Sequence, residues 1–189
     1  MVEHQKYIPL EKTDGTLINK FLITANTPST PVIIAGNERV IRARFSDGKF
    51  FFDEDRKKKL EEYLPELGQV LFAKGLGSLL DKVSRIEQIC MALSGIIGYS
   101  DALAGALRTA RLSKADLVTK MVYEFPELQG IIGAYYANHS GETKTVADSI
   151  REHYCPKYSG DMLPSHKEGV LVSLADRLDN LLALYSKGL

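Results

Sequence analysis

The sequence has no net charge: 24 Lys and Arg offset 24 Asp and Glu. That removes the global electrostatic footprint of a small, strongly basic nucleic-acid binder and leaves only local basic patches to consider. Cysteine is scarce. Cys90 and Cys155 have no C-x-x-C spacing, which excludes a disulfide-stapled secreted scaffold and a cysteine-based metal knuckle and points to a reducing compartment. No window approaches the roughly 18 uninterrupted apolar residues of a membrane-spanning helix. Met1-Val2-Glu3-His4-Gln5-Lys6-Tyr7 holds no apolar stretch of the signal-peptide kind. The expectation is a soluble, cytoplasmic protein with no membrane partner. Histidine is missing between positions 5 and 138, so an imidazole-based site has to draw on His139, His153 and His166. No two of these have the i, i+4 spacing that puts paired ligands on one helix face, and surface positions are the expected reading for them. G-x-S-x-G, P-loop and G-x-G-x-x-G patterns are absent as well. Gly75-Leu76-Gly77 has Leu80 where a third glycine belongs and reads as a loop before a helix.

What is present is the composition of an ordinary folded protein: 189 residues, 44% hydrophobic and 25% charged, enough for one domain or one domain with a small attachment. Residues 1–52 read as a small strand-rich segment. Asp14-Gly15 lies between two alternating runs, Tyr7–Leu10 and Leu17–Ile23, which predicts a hairpin. Val32-Ile33-Ile34-Ala35 is a further short apolar run bounded by turn residues. Residues 53–189 read as a helical domain. Asp53-Glu54-Asp55 supplies negative charge suited to a helix N-terminus, continuing through Arg56-Lys57-Lys58-Lys59 as a charged helix. Leu79, Val83, Ile86, Cys90 and Leu93 recur at helical spacing and predict a core helix. Further helices are expected from Asp101 to about Tyr123, Val146 to about Tyr154 and Gly169 to about Ser186. The fold class is mainly α with a small N-terminal β-containing segment.

Few residues suggest chemistry. Asp116 lies in a helical stretch, and Ser173, Asp176, Arg177 and Asn180 share one helix face. That face is either a solvated stripe or one wall of a cleft where Asp116 and Asp176 meet to hold a metal or fix a lysine or arginine. Arg56, Lys57, Lys58 and Lys59 form the only dense basic cluster, suited to RNA phosphates. Glu54, Asp55, Glu61 and Glu62 dilute it, so a solvated helix face is the equal alternative. Tyr135-Tyr136 offers stacking surface for bases or core packing beside Ile131 and Ile132.

Several stretches resemble the β-subunit family of bacterial heterotetrameric glycyl-tRNA synthetases: His4–Tyr7, Gly36–Val40, Arg44–Asp47 with Phe50–Phe52, Asp55–Glu61, Leu71-Phe72, Leu76–Leu79 with Asp81-Lys82, Ser113–Thr119, Met121–Gly130, Tyr158–Pro164 and Leu174–Asp179. The resemblance implies an interior segment of a subunit several times longer. It also implies that the helical part is similar to an HD domain, a fold of metal-dependent phosphohydrolases in which histidines and aspartates bind divalent metal. Laid on that pattern, Asp116 and Asp176 keep the two aspartates, while Lys82 and Ala115 stand where histidines belong. The resemblance therefore implies a degenerate site with no metal and no catalytic residues. Lys82, Asp116 and Asp176 are expected to form a buried or cleft ion-pair cluster. The implied role is support of ATP-dependent glycyl-tRNA formation by a class II aminoacyl-tRNA synthetase. The implied partners are glycine tRNA, the α subunit and the rest of the β subunit, in a heterotetramer of two α and two β. No cofactor is expected here, since ATP belongs to the α subunit. The alternatives are an active HD-type phosphohydrolase and an interaction module that never meets RNA.

Overall fold

Asp14-Gly15 turns the chain between β1 (Ile8–Glu11) and β2 (Leu17–Leu22), which pair antiparallel with Ile8 opposite Leu22 and Pro9 opposite Phe21. Gly15 takes φ 80°, the Asp14 carboxylate accepts from the Thr16 N–H at 2.9 Å, and the Lys12 N–H donates to the Thr16 carbonyl at 2.9 Å. Glycine tolerates that left-handed φ without a Cβ clash. The computed structural model describes residues 7–186 and 188, in two compact units, Met1–Asp47 and Gly48–Leu189. His4-Gln5-Lys6 and the rest of the first six residues lie outside the described set, as do Lys187 and Leu189.

In the first unit the hairpin is followed by α1 (Pro31–Asp55), whose last turns belong to the second unit. Tyr7 packs edge-on against Phe21 with ring centroids 5.4 Å apart and donates its hydroxyl to Asn37 Oδ1 at 2.8 Å. The apolar run Val32–Ala35 is therefore helical, not a strand. Pro31, with φ preset and no N–H to satisfy, opens the helix, and Thr30 Oγ1 accepts from the Ile33 N–H at 3.4 Å. That is a start signal which the bracketing prolines and glycine had masked as loop punctuation.

A second correction concerns Asp53-Glu54-Asp55, which ends α1 instead of starting a helix. Arg56–Lys59 forms a turn leading into a 3-10 turn at Leu60–Tyr63 and the short α2 (Leu64–Leu67). The reason is Asp55, whose side chain is buried and committed elsewhere. Its carboxylate accepts from the Lys120 N–H at 3.1 Å, the Met121 N–H at 2.9 Å and the Tyr136 hydroxyl at 3.1 Å.

The rest of the second unit is α3 (Leu79–Ile96), α4 (Leu103–Leu112), α5 (Lys120–Glu124), α6 (Ile131–His139), α7 (Lys144–Glu152) and α8 (Lys167–Ser186). Ser78 and Asp81 cap α3 reciprocally, the Ser78 N–H reaching Asp81 Oδ2 at 2.7 Å. The single helix expected from Asp101 to Tyr123 is broken after Leu112, because Lys114 and Asp116 turn inward and Thr119 starts a new helix by accepting from the Val122 N–H at 3.4 Å. α3 packs on α4 and α8, and α7 packs on α6 and α8. One apolar cluster gathers Leu60, Leu67, Val83, Leu112 and Ile150, and another gathers Ile86, Cys90, Ala106, Leu171 and Val172, all fully buried. Burying side chains of this size at roughly 25 cal/mol per Å² is what holds such a helical unit together. Among the described residues, no helix is long and apolar enough to cross a membrane.

Candidate functional site

Between the two apolar clusters the unit keeps charge. On α3, Lys82 and Arg85 are three residues apart and share a face. On α8, Asp176, Asp179 and Asn180 share another, and the packing of these two helices brings the faces together. The Lys82 ammonium donates to Asp179 Oδ2 at 2.8 Å and Asn180 Oδ1 at 2.8 Å. It also lies 2.8 Å from Asp176 Oδ1 without hydrogen-bond geometry, so that oxygen lacks a directed partner. Arg85 Nε donates to Asp179 Oδ1 at 2.5 Å. Ser173, Asp176 and Asp179 on α8 thus face inward, while Arg177 stays exposed, as do Leu178, Leu181 and Leu182.

The inward turn after α4 delivers Lys114, which donates to Asp176 Oδ2 at 2.9 Å. The end of α7 delivers His153, whose Nε2 lies 2.8 Å from the Lys114 ammonium. His153 Nδ1 sits 2.5 Å from the Ile150 carbonyl. A carbonyl only accepts, so the proton is on Nδ1 and Nε2 accepts from Lys114. Burial, reinforced by Lys114, drives His153 well below its ordinary pKa of 6.5 and keeps the ring neutral. This corrects the surface reading of His153, which is 1% exposed. His139, ending α6, and His166 remain accessible.

Burial by itself would raise the Asp176 carboxyl, but Lys114 and Lys82 outweigh it and hold its pKa at about 2. The same burial lowers Lys114, with Asp176 opposing. The two lysines therefore share one carboxylate in a water-poor setting, where removing one partner strands a buried charge and is most costly.

Asp116 does not join them. Its Oδ2 accepts from the Gly130 N–H at 2.6 Å and the Gly133 N–H at 3.2 Å, holding the start of α6, while Oδ1 is buried without a partner. Burial raises its pKa to about 6, with the Gly130 N–H and Lys114 only partly offsetting. The expected cluster of Lys82, Asp116 and Asp176 is accordingly two-thirds assembled, and Lys114, His153 and Asp179 complete it instead. Ala115 is fully buried in the apolar cluster beside it. Sequence reasoning missed Lys114 although it stands two positions from Asp116. No local signal marks it, since Arg111, Ser113 and Asp116 surround it in sequence; only its burial obliges it to find an anion.

The raised Asp116 pKa carries a sign that can be measured. Its folded value of about 6 exceeds the ordinary 3.8, so the folded state binds the proton more tightly. The group then favours folding below pH 4 and loses that contribution as pH rises through 6. The stability of Asp116→Asn relative to the wild type is expected to rise by about 2 kcal/mol between pH 4 and pH 7. Urea unfolding across that range checks it, and a flat difference contradicts it.

Arg56, Lys57, Lys58 and Lys59 lie in the turn after α1. Lys57 pairs with Glu54, Lys58 lies 3.3 Å from Glu66, and the Arg56 guanidinium sits over the Phe52 ring and 3.2 Å from His139 Nδ1. Of the tyrosine pair, Tyr136 is buried against Phe52 and bonded to Asp55, whereas Tyr135 is exposed.

The donor set does not fit a divalent metal. The one carboxylate beside the imidazole, Asp176, is flanked by two ammonium groups, and His153 Nε2 is engaged by one of them. A divalent ion at this carboxylate would have to displace both cations, and ammonium groups are not ligands.

The fold and site define a mainly helical protein with an N-terminal hairpin and an internal, lysine-centred salt cluster. The family model described as glycyl-tRNA synthetase beta subunit matches residues 1–189. The chain is 47% identical over 190 residues to the glycine--tRNA ligase beta subunit of Methylobacillus flagellatus, covering 100% of this chain and 27% of that protein. It is 50% identical over 187 residues to the Nitrosomonas europaea protein of the same name, covering 98% and 26%. With that of Neisseria gonorrhoeae it shares 46% over 191 residues, covering 100% and 28%. The chain belongs to the glycyl-tRNA synthetase β-subunit family. It spans about a quarter of the length of the curated relatives it matches.

Proposed function

We propose that this chain supports ATP-dependent attachment of glycine to its tRNA as part of a glycyl-tRNA synthetase β subunit, through tRNA contact and subunit architecture, with no catalytic centre of its own. In this reading ATP and glycine are handled by the α subunit, and the assembly contains two α and two β chains in the cytoplasm. The observation that carries the architectural half is the salt cluster. The Lys82 and Lys114 ammonium groups occupy the space around Asp176, and a carboxylate so neutralised serves to hold α3, α7 and α8 in register. The RNA half rests on the family and on Lys59, which has no ion pair among the described residues, beside the partly neutralised Lys57 and Lys58.

The test is titration of this chain with glycine tRNA over a salt series. Binding is expected to weaken steeply with salt. Replacing Lys57, Lys58 and Lys59 together with Gln is expected to reduce the slope of log K against log salt by about 1 for each phosphate the protein no longer neutralises. Absence of binding at low salt, or a slope that the replacement leaves alone, removes RNA contact through this turn. Metal-dependent hydrolysis of nucleotides by the purified chain would remove the architectural half.

A further inference from the structure

Lys82, Lys114, His153 and Asp176 of the salt cluster line a cleft of about 290 Å³ together with Gln129, Tyr154, Arg177 and Asn180. Three cations, Lys82, Lys114 and Arg177, line this cleft against one lining carboxylate, Asp176; Asp179, which Lys82 also reaches, lies outside the lining and is paired with Arg85. Among the residues that line the cleft, cations exceed carboxylates. Donors are in excess too. Arg177 uses Nε on Ser173 Oγ at 3.3 Å and Nη2 on the Pro156 carbonyl at 2.8 Å, leaving Nη1 without a partner among the described residues. Asn180 accepts from Lys82 through Oδ1, which leaves its Nδ2 hydrogens unused. The Gln129 amide makes no side-chain hydrogen bond among the described residues, and the Tyr154 hydroxyl is buried with no partner. A surplus of N–H and O–H groups with a surplus of positive charge is the requirement for an anion with several oxygens.

We propose that this cleft binds the phosphate group of a phosphate monoester. Its terminal oxygens meet Arg177 Nη1, the Gln129 amide and Asn180 Nδ2, and its charge answers the excess cations. The esterified remainder has room. An adjoining cleft of about 430 Å³ shares Gln129, Tyr154 and Arg177 with the first and extends past Pro156 and Lys157. A flat carboxylate would leave part of this donor set unmet, whereas a tetrahedral group reaches donors on several sides. The inference does not depend on RNA contact through Arg56–Lys59, because it uses other residues and a different probe.

The experiment follows backbone amide shifts of residues 129, 154, 177 and 180 by NMR at constant ionic strength. The probes are inorganic phosphate and then a trinucleotide RNA with either a 5′-phosphate or a 5′-hydroxyl. Saturable shifts with inorganic phosphate are expected, and the 5′-phosphorylated RNA is expected to bind more tightly than the 5′-hydroxyl form. If inorganic phosphate binds and the phosphorylated RNA gains nothing over it, the ligand is a small phosphate ester and the site stands. Arg177→Gln is expected to weaken binding about tenfold by removing a charged fork. Gln129→Ala, which disturbs no internal hydrogen bond, is expected to weaken it about threefold, and the remote Lys12→Gln to leave it unchanged. No saturable shift with inorganic phosphate, saturable binding of both RNA forms at equal affinity, or equal losses in Lys12→Gln and Arg177→Gln overturn the proposal.

Discussion

Replacing Lys82 with methionine lowers the stability of the helical unit by about 3–5 kcal/mol, the range for removing one partner of a buried ion pair. Methionine keeps the length and apolar stem of the side chain, so the loss reports the ammonium. That group is 3% exposed and faces Asp179, Asn180 and Asp176. Arg85 still reaches Asp179 and Lys114 still reaches Asp176, which keeps the effect from exceeding this range. In a double-mutant cycle, Lys82→Met with Asp179→Asn is expected to cost less than the sum of the single changes, because the second removes the anion that the first strands. Unfolding in urea at pH 7 provides the measurement. A loss below about 1 kcal/mol, the level of an exposed pair, would show that the cluster is solvated and does not fasten α3 to α8.

Asp55→Ala is expected to cost a similar amount, about 3–5 kcal/mol, by a different route. Two backbone N–H groups at the start of α5 and the Tyr136 hydroxyl all end on this carboxylate, which is 2% exposed. Each donor left without a partner costs about 1–3 kcal/mol. Asp55→Asn is expected to recover only part of the loss, since its NH₂ group confronts donors. Tyr136→Phe, which removes one donor and leaves the carboxylate its others, is expected to lose about 1 kcal/mol. If Asp55→Ala unfolds at the same denaturant concentration as the wild type, the bond pattern around Asp55 is wrong.

Elements built on local signals were legible in the sequence. The hairpin rested on Asp14-Gly15, and α3 on the apolar period from Leu79 to Leu93. What failed depended on distant partners. Asp55 looked like a helix start because acidic residues favour one, but its donors lie 65 to 81 positions onward. The break after Leu112 follows from burial of Lys114 and Asp116, and no local propensity encodes that burial. In the candidate site, Asp176 was named from its place on a polar helix face and Lys82 through family resemblance. Lys114 and His153 were not, since their meeting depends on how the end of α7 is laid beside the turn after α4.

The salt cluster also orders events in time. Lys82 and Asp179 are separated by 97 positions, so closing that loop costs chain entropy before the pairing returns anything. Until α8 docks, these side chains remain hydrated, and stripping their water is a late step. Interactions formed after the folding barrier govern how fast the native state opens more than how fast it forms. The charges between α3 and α8 are therefore expected to act as a latch on the finished domain, so that Lys82→Met speeds its unfolding more than it slows its folding.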